Sequence, residues 1–285
     1  MAQAQCPASC GEIIQGWIGG SEKLVSCPVD WFSSVMVKDG HGGNARPLMR
    51  AAATRVLIAA GFSAHDIHGL CITLDSSIPL AKGMASSTAD IAATAQATAR
   101  HLGMSLSADA IADLCVSLEP TDSTVFAPLT LFDHNDGHHR QPCGSAPALD
   151  ILLLESPDTL LTADYHRRER TTALLANAAH LEQAWQRVRL ACERNQPRLL
   201  GEAATLSAIA SQDILPKPGF AALLQTVEAF DLYGLNVAHS GSVSGLMLDR
   251  ERHDVEKLIA TLQQGEGKRH WPRTHLLRLV NGGVR

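Results

Sequence analysis

A glycine and two serines, Gly83, Ser86 and Ser87, stand between an extended segment and an alanine-rich stretch. Pro79 disfavours helix for the residue before it, and residues 91–102 are dense in helix-favouring alanine, so a helix should begin near the serines. A helix N-terminus offers unpaired N–H groups and a partial positive charge, which suit a phosphate. The stretch predicts a nucleotide-phosphate loop, with an ordinary N-capped helix as an equal alternative.

Two carboxylates three positions apart form a second candidate site. Glu119 and Asp122 belong to the sequence EPTD, which we expect to be a turn. Paired carboxylates can position a magnesium ion and accept a proton, but the same residues are also common where a helix ends and the next one is capped. The spacing alone leaves both interpretations open.

Three more polar segments could bind a ligand, and each has a structural alternative. The glycine- and serine-rich loop near residues 239–245 either forms a simple hairpin or leaves backbone donors open to an anion. Residues 133–140 lack the full ligand series of a calcium loop and the cysteine pairs of a zinc finger, so we interpret them as an exposed hairpin turn. Glu12 and Asp30 are embedded among apolar residues, where a carboxylate more often satisfies backbone donors than binds a substrate.

The elements that must position these residues alternate between strands and helices. Strands are predicted within residues 5–37, with a hairpin at Gly19 and Gly20, and at 70–75, 149–154, 235–248 and 274–280. Helices are predicted at 47–60, with Leu48, Ala52, Val56 and Ala59 on one face, and at 108–118, 171–194, 198–211, 218–230 and 254–264. The composition shift at 141–147 predicts a linker, and we interpret Arg167, Arg168 and Arg170 as a solvated face.

Composition narrows the class of protein. The chain has 285 residues, of which 45% are hydrophobic and 19% charged, and 24 basic against 29 acidic residues give a net charge of −5. With no long basic run, no nucleic-acid partner is expected, and with no run of about 18 apolar residues, no membrane span is expected. Seven scattered cysteines suit reduced thiols. We expect a cytoplasmic protein that acts on small molecules, and the sequence leaves its oligomeric state open.

Three segments in order resemble the motifs of the GHMP small-molecule kinases, whereas neither a Walker A nor a Rossmann glycine motif occurs. Residues 7–12 (PASCGE) resemble the first motif, 79–89 (PLAKGMASSTA) the phosphate-binding second motif and 238–246 (AHSGSVSGL) the third. The resemblance implies an α+β fold, with a ribosomal S5 domain 2-like domain at 1–145 and a ferredoxin-like domain at 146–285. ATP and substrate would then bind between the two.

The resemblance also assigns roles to residues. Ser87 and Glu119 would bind Mg²⁺, and Asp122 would be the general base. Glu12 and Asp30 would bind the substrate ammonium group, while its carboxylate has only unranked candidates in Lys23, Arg46 and Lys82. The residues implied in ATP binding are Pro79, Leu80, Ala81, Lys82, Gly83, Met84, Ala85, Ser86, Ser87, Thr88, Ala89, Ser240 and Gly241.

More narrowly, the chain resembles bacterial L-threonine kinases, which implies formation of O-phospho-L-threonine for the aminopropanol moiety of cobalamin. Another kinase of the family, for homoserine or another small alcohol, and a non-catalytic binding protein are the alternatives. One departure concerns the carboxylates: relatives such as mevalonate kinase place a glycine- and serine-rich segment between them, whereas here only Pro120 and Thr121 intervene. Either Glu119 merely ends its helix, or this subgroup builds the pair more tightly.

Overall fold

A long antiparallel hairpin begins the chain. The structure, a computed structural model, describes residues 1–159 and 169–285. Strand β1 (Ala2–Ile18) and strand β2 (Ser21–Asp39) pair along nearly their whole length. Gly19 and Gly20 make the turn with φ angles of +55° and +88°, a left-handed conformation that glycine adopts without steric cost. The predicted hairpin is confirmed.

The remaining elements follow in chain order. The first half contains α1 (Pro47–Ala59), a 3₁₀ helix (Ala64–Gly69), β3 (Leu70–Asp75), α2 (Ser86–His101), α3 (Ala108–Val116), a 3₁₀ helix (Ser123–Val125), β4 (Leu129–Phe132) and β5 (Arg140–Gly144). The second half contains β6 (Asp150–Glu155), α4 (Thr171–Ala176), α5 (Ala178–Arg194), α6 (Pro197–Ser211), α7 (Phe220–Ala229), β7 (Gly234–Val237), β8 (Ser244–Leu248), α8 (Val255–Leu262), α9 (Gly267–His270) and β9 (Arg273–Arg278). None of the described helices is both long and apolar enough for a membrane span.

The strands of the described residues share one antiparallel sheet. Its order is β5-β4-β2-β1-β7-β8-β6-β9, and β3 also pairs with β2. The strands of the first half meet those of the second where Glu12 of β1 pairs with Val237 of β7. With helices beside an antiparallel sheet, the α+β class is confirmed.

Helix α2 lies at the centre of the core. Every residue from Thr88 to Ala99 is buried, because the small alanine side chains let the helix pack closely against β1, β2 and α1. One carboxylate, Asp90, is buried with it. The Ser33 hydroxyl donates to Asp90 at 2.5 Å, and Arg46 forms an ion pair with it at 2.5 Å. Burial raises the pKa of Asp90, and these two partners oppose that rise.

Two predicted helices differ in detail. The buried face of α1 consists of Met49, Ala52, Ala53, Val56 and Leu57. The predicted Ala59 is exposed and Leu48 is only half-buried, because the face that packs toward α2 is rotated from the expected one. The predicted helix 171–194 is divided at Asn177, whose side-chain amide donates to the Ala173 carbonyl at 3.0 Å and so competes with the helical backbone pattern.

Other expectations were wrong at loops. Pro218 lies before α7, since Gly219 is the N-cap with φ +72°, so the proline is not in the first turn. Residues 141–144 of the predicted linker belong to strand β5, which pairs with β4. The domain division at 145/146 stays a prediction. The loop after β4 does connect a hairpin, but Asp133 and His134 are buried rather than exposed. The Asp133 carboxylate accepts from two backbone N–H groups of its own turn.

The predicted cationic face has a different environment where it can be described. The side chain of Arg170 is only 15% exposed and forms an ion pair with Glu22 at 2.8 Å. Arg170 therefore forms a partly buried ion pair and is not a solvated charge. Arg167 and Arg168 lie outside the described residues.

Helix α6 approaches the backbone at the start of β7 so closely at Gly201 that a larger residue there should destabilise the fold. A Cβ added at Gly201 would overlap the carbonyl oxygen of Tyr233. We expect Gly201→Ala to lower the free energy of unfolding by about 1–3 kcal/mol, the usual cost of overpacking. Urea unfolding followed by circular dichroism measures this. Gly69→Ala is the matched control, because its added Cβ meets nothing within 4 Å; equal effects of the two changes would contradict the proposed close contact.

Candidate active site

The phosphate-loop segment, residues 81–85, has an unusual backbone. Ala81, Gly83 and Ala85 have φ angles of +56°, +79° and +54°, whereas Lys82 and Met84 between them do not have positive φ. Alternation of left-handed residues with ordinary ones points successive N–H groups toward one anion. A left-handed alanine is strained, and such strain is often kept at functional sites. The local backbone is therefore suited to hold phosphate oxygens.

The three sequence motifs meet at this segment through backbone hydrogen bonds. From the first motif, Ser9 N donates to Met84 O at 3.0 Å and Gly11 N donates to Gly83 O at 3.2 Å. From the third motif, Ser242 N and Val243 N donate to the Lys82 carbonyl at 2.9 and 3.1 Å. The fold thus brings together three segments that are far apart in the sequence.

Helix α2 begins directly after this segment. Its N-cap residue, Ala85, makes no side-chain capping bond, and the first turn contains no acidic residue. Among the described residues, no acceptor is found for the N–H groups of Ser86, Ser87 and Thr88. The expected start near the serines is confirmed, and the alternative of a serine-capped helix is not what the structure shows. Uncapped N–H groups at a helix N-terminus favour an anion.

A cavity of about 410 Å³ opens over these N–H groups. Its lining joins the phosphate-loop segment and the start of α2 with the predicted acidic residues and one residue of the third motif. The lining residues are Glu12, Ala81, Gly83, Met84, Ala85, Ser86, Ser87, Thr88, Glu119, Pro120, Asp122 and Ser240. We call this cavity the cleft.

Asp122 is the carboxylate most altered by the cleft. Burial, followed by the negative charge of Glu12, raises the pKa of Asp122 from its ordinary 3.8 to about 7. Hydrogen bonds from the Ser26 hydroxyl at 3.3 Å and the Thr88 hydroxyl at 3.4 Å oppose the rise and fix the carboxylate in place. A carboxylate with a pKa near neutrality can exchange a proton with a bound substrate.

Glu119 and Ser87 both line the cleft. Burial raises the pKa of Glu119, and its interaction with the nearby Ser87 hydroxyl partly opposes that rise. Two oxygen donors side by side next to a phosphate site fit Mg²⁺, which takes one or two protein oxygens and completes its shell with phosphates and water. Within 1–159 and 169–285, no cluster of three or more His, Cys, Asp or Glu could hold a metal alone, so the phosphates would be needed.

Glu12 is the third carboxylate of the cleft, and it is only 4% exposed. Its Oε2 accepts a hydrogen bond from His239 N at 2.8 Å and lies 3.1 Å from His239 Nδ1. His239 belongs to the third motif, so the first and third motifs are also joined by side chains. Three carboxylates around one cavity make the cleft attractive to cations.

Several predicted ATP-binding residues do not line the cleft. Leu80 is exposed, Pro79 is half-buried and Ala89 is buried in α2. The Gly241 carbonyl accepts from Lys217 Nζ at 2.5 Å. The Lys82 side chain does not line the cleft. Its ammonium group donates to the carbonyls of Ser156, Pro157 and Asp158 at 2.7, 3.3 and 2.6 Å.

The predicted substrate-binding residues are divided. Glu12 faces the cleft, whereas Asp30 is exposed elsewhere and accepts from Arg278 N at 2.8 Å. Of the candidates for a substrate carboxylate, Lys23 donates to two backbone carbonyls and Arg46 pairs with Asp90. The structure gives these residues structural partners, so we set them aside as ligands.

Sequence reasoning missed four residues around the cleft. Ser26 has no distinguishing local pattern and His239 is one residue of the third motif, yet each forms a hydrogen bond with a cleft carboxylate. Ser207 lies within α6 and Lys217 follows it, and neither belongs to a recognisable motif. Ser207 bonds to His239, and Lys217 bonds to the Gly241 carbonyl, because the tertiary fold brings these residues together.

Comparisons with known proteins agree with this arrangement. The GHMP kinases N terminal domain matches residues 48–127. An L-threonine kinase of Salmonella typhimurium (strain LT2) is 61% identical over 286 aligned positions, which cover 100% of this chain and 95% of that protein. An L-threonine kinase of Citrobacter freundii is 60% identical over 285 positions, covering 100% of this chain and 99% of that protein.

Solved structures share the fold at low identity. A homoserine kinase from Cytophaga hutchinsonii superposes with a TM-score of 0.69 at 15% identity, over 100% of this chain and 96% of that one. A complex of MDDEF with MVAPP, AMPPCP and magnesium has a TM-score of 0.70 at 15% identity, over 100% and 98% of the two chains. At this identity the similarity concerns the fold alone.

The raised pKa of Asp122 has a measurable consequence for stability. Between about pH 4 and pH 7 the unfolded chain releases this proton before the folded one does, so Asp122 makes the folded state less stable as pH rises through that window. Asn cannot ionise. We therefore expect Asp122→Asn to gain stability relative to the wild type between pH 5 and pH 7.5, by up to about 1.4 kcal/mol for each pKa unit.

Urea unfolding at the two pH values measures this difference. Asp75→Asn, which changes an exposed carboxylate, gives the baseline for losing one acidic group. If the stability difference between Asp122→Asn and the wild type were the same at both pH values, Asp122 would not have a raised pKa.

Proposed function

The chain belongs to the GHMP kinase family, and we propose that it transfers the γ-phosphoryl group of ATP to the hydroxyl group of L-threonine. The observation that carries this proposal is the cleft, in which an uncapped helix N-terminus faces the carboxylates Glu119 and Asp122. The two L-threonine kinase relatives, each about 60% identical over the whole chain, support threonine as the acceptor.

In the proposed reaction the backbone binds the ATP phosphates. The N–H groups of the phosphate-loop segment and of the first turn of α2 would receive the β- and γ-phosphate oxygens, and the small side chains of Gly83 and Ala85 leave room for them. The P-loop lysine of other nucleotide enzymes has no counterpart in Lys82, whose ammonium group is bound to backbone carbonyls. Phosphate binding would therefore rely on the helix and on a bound cation.

Ser87 and Glu119 are the residues that would hold Mg²⁺. When bound, the ion supplies positive charge to the transferring phosphoryl group. Both side chains line the cleft, and the short EPTD spacing still brings both Glu119 and Asp122 to it. The compact pair is therefore compatible with separate roles for the two carboxylates.

Asp122 would accept the proton of the threonine hydroxyl. Ser26 and Thr88 hold its carboxylate in place, and a pKa of about 7 leaves a large ionised fraction at neutral pH. A base of this kind contributes about 10²- to 10⁴-fold, because phosphoryl transfer depends mainly on positioning and charge neutralisation.

Glu12 would bind the ammonium group of threonine. It lines the same cleft as Asp122, and its negative charge contributes to the raised pKa of Asp122. Use of the product for the aminopropanol moiety of cobalamin, and a cytoplasmic location, complete the proposal; the first follows from the sequence resemblance and the second from the composition.

Product analysis tests the function directly. The purified protein is incubated with ATP, Mg²⁺ and, separately, L-threonine, L-serine, L-homoserine and a sugar, and the products are identified by mass spectrometry. We expect phosphothreonine and threonine-dependent release of ADP. Transfer to homoserine or a sugar but not to threonine would contradict the proposed substrate, and no transfer to any acceptor would contradict the kinase function.

Removing the proposed base should separate chemistry from binding. We expect Asp122→Asn to lower kcat by about 10²- to 10⁴-fold while the Kd for ATP changes little, since the phosphate-binding groups remain. Steady-state kinetics and calorimetric titration with a non-hydrolysable ATP analogue measure the two quantities. Asp75→Asn should behave as the wild type. Near-normal turnover of Asp122→Asn would remove Asp122 from the role of base.

Loss of a proposed metal ligand should change the Mg²⁺ requirement. We expect Glu119→Gln to raise the Mg²⁺ concentration for half-maximal activity by about 10- to 100-fold, because one charged oxygen ligand is lost. Magnesium titration at saturating ATP measures the shift, and Glu251→Gln, at an exposed position, is the control. An unchanged Mg²⁺ dependence would mean that Glu119 does not bind the metal ion and merely ends its helix.

A further inference from the structure

A buried chain of hydrogen bonds leads from helix α6 to the Glu12 carboxylate. Gln15 N donates to Ser207 Oγ at 2.9 Å, Ser207 Oγ lies 3.1 Å from His239 Nε2, and His239 Nδ1 lies 3.1 Å from Glu12 Oε2. Glu12, Ser207 and His239 are each at most 4% exposed. None of these contacts is local in the sequence, so the chain of bonds exists only because β1, α6 and the third motif pack together.

Each hydrogen bond in this series needs one donor and one acceptor, and this requirement assigns the role of each group. A carboxylate can only accept, so Nδ1 of His239 carries the proton that is donated to Glu12. In a neutral imidazole Nε2 is then an acceptor, and Ser207 satisfies it with its hydroxyl proton. Ser207 in turn accepts from Gln15 N, so every group has a partner. The Ser207 hydroxyl also lies 3.5 Å from the Gln15 carbonyl, a longer contact than the 3.1 Å to His239 Nε2.

The two oxygens of the Glu12 carboxylate have different environments. Oε2 receives both the backbone N–H and the ring Nδ1 of His239. Within residues 1–159 and 169–285 no hydrogen bond to Oε1 is formed, and Glu12 lines the cleft. Because the two bonds from His239 hold Oε2, the carboxylate cannot rotate freely, and Oε1 is left for a ligand.

We propose that His239, held by Ser207, is a positioning residue that fixes the Glu12 carboxylate so that it selects acceptor alcohols carrying a neighbouring ammonium group. This inference rests on the proposed kinase function and adds the basis of its acceptor choice. The selection follows from charge: Oε1 of this buried carboxylate can accept from an ammonium group, which supplies both a positive charge and N–H donors.

The same arrangement links acceptor binding to the base. Burial, with the charge of Glu12 second, raises the pKa of Asp122 to about 7. An ammonium group bound to Glu12 offsets that charge, so the pKa of Asp122 falls when the correct acceptor is present. An acceptor without the ammonium group leaves a larger fraction of Asp122 protonated and unable to take the hydroxyl proton.

The test compares two acceptors that differ only in the amino group, L-threonine and (R)-3-hydroxybutyrate. The measured quantity is the ratio of their kcat/KM values, which a purely structural change would leave unaltered. We expect Glu12→Gln to lower the ratio by about 10- to 100-fold, the range for losing a hydrogen bond to a charged group. His239→Ala and Ser207→Ala should lower the ratio by a smaller factor, with Ser207→Ala the milder of the two.

Two further variants sharpen the comparison. His239→Asn keeps an amide donor near the Nδ1 position, so it should restore most of the ratio lost in His239→Ala. Ser211→Ala is the matched control for Ser207→Ala: Ser211 lies one turn later on α6, is also buried, and bonds to the Ala208 carbonyl instead of His239. Ser211→Ala should leave the ratio unchanged.

The possible failures are distinguishable. If His239→Ala and Ser207→Ala lower kcat/KM equally for both acceptors, the positioning role is wrong although the kinase function stands. If His239→Ala does not fold, Ser207→Ala, which removes a single oxygen, decides the same point. If the wild type forms no phosphothreonine, the proposed function fails and this inference fails with it.

Discussion

The close approach of three backbone segments at Gly83 is the contact on which the rest of the site depends. The Gly83 and Lys82 carbonyls accept hydrogen bonds from the first and third motifs, at Gly11 and at Ser242 and Val243. A Cβ at Gly83 would overlap the Cβ of Ala238, so only glycine allows this distance together with φ +79°. The contact fixes the start of α2, and thereby the direction in which its unpaired N–H groups point.

Charge balance is the second constraint, and it follows from the first. The fold brings Glu12, Glu119 and Asp122 around one cavity. Burial raises the pKa of both Asp122 and Glu119, and the negative charges of Glu12 and Glu119 add to the rise at Asp122. Bound cations would relieve that cost, and the proposed metal ion at Glu119 and ammonium group at Glu12 would do so at separate carboxylates.

Local sequence patterns predicted the elements well where local physics decides them. The turn at Gly19 and Gly20 and the start of α2 near Ser86 depend on neighbouring residues, and the structure agrees. Agreement was poorer where packing decides. The buried face of α1, the burial of Asp133 and the pairing of Arg170 with Glu22 depend on partners distant in the sequence.

The sequence by itself determined that a glycine- and serine-rich loop precedes a helix, that two carboxylates follow on a turn, and that three motifs occur in a recognisable order. These features are local, so residue types and spacing are sufficient to define them. Only the tertiary structure decided which side chains share the cleft. It placed Asp30 outside the cleft and bonded the Lys82 ammonium group to backbone carbonyls. It also connected Glu12 to His239, and His239 to Ser207, by hydrogen bonds. The reason is that β1, α6 and the third motif meet through hydrogen bonds between residues about 200 positions apart, which no local pattern records.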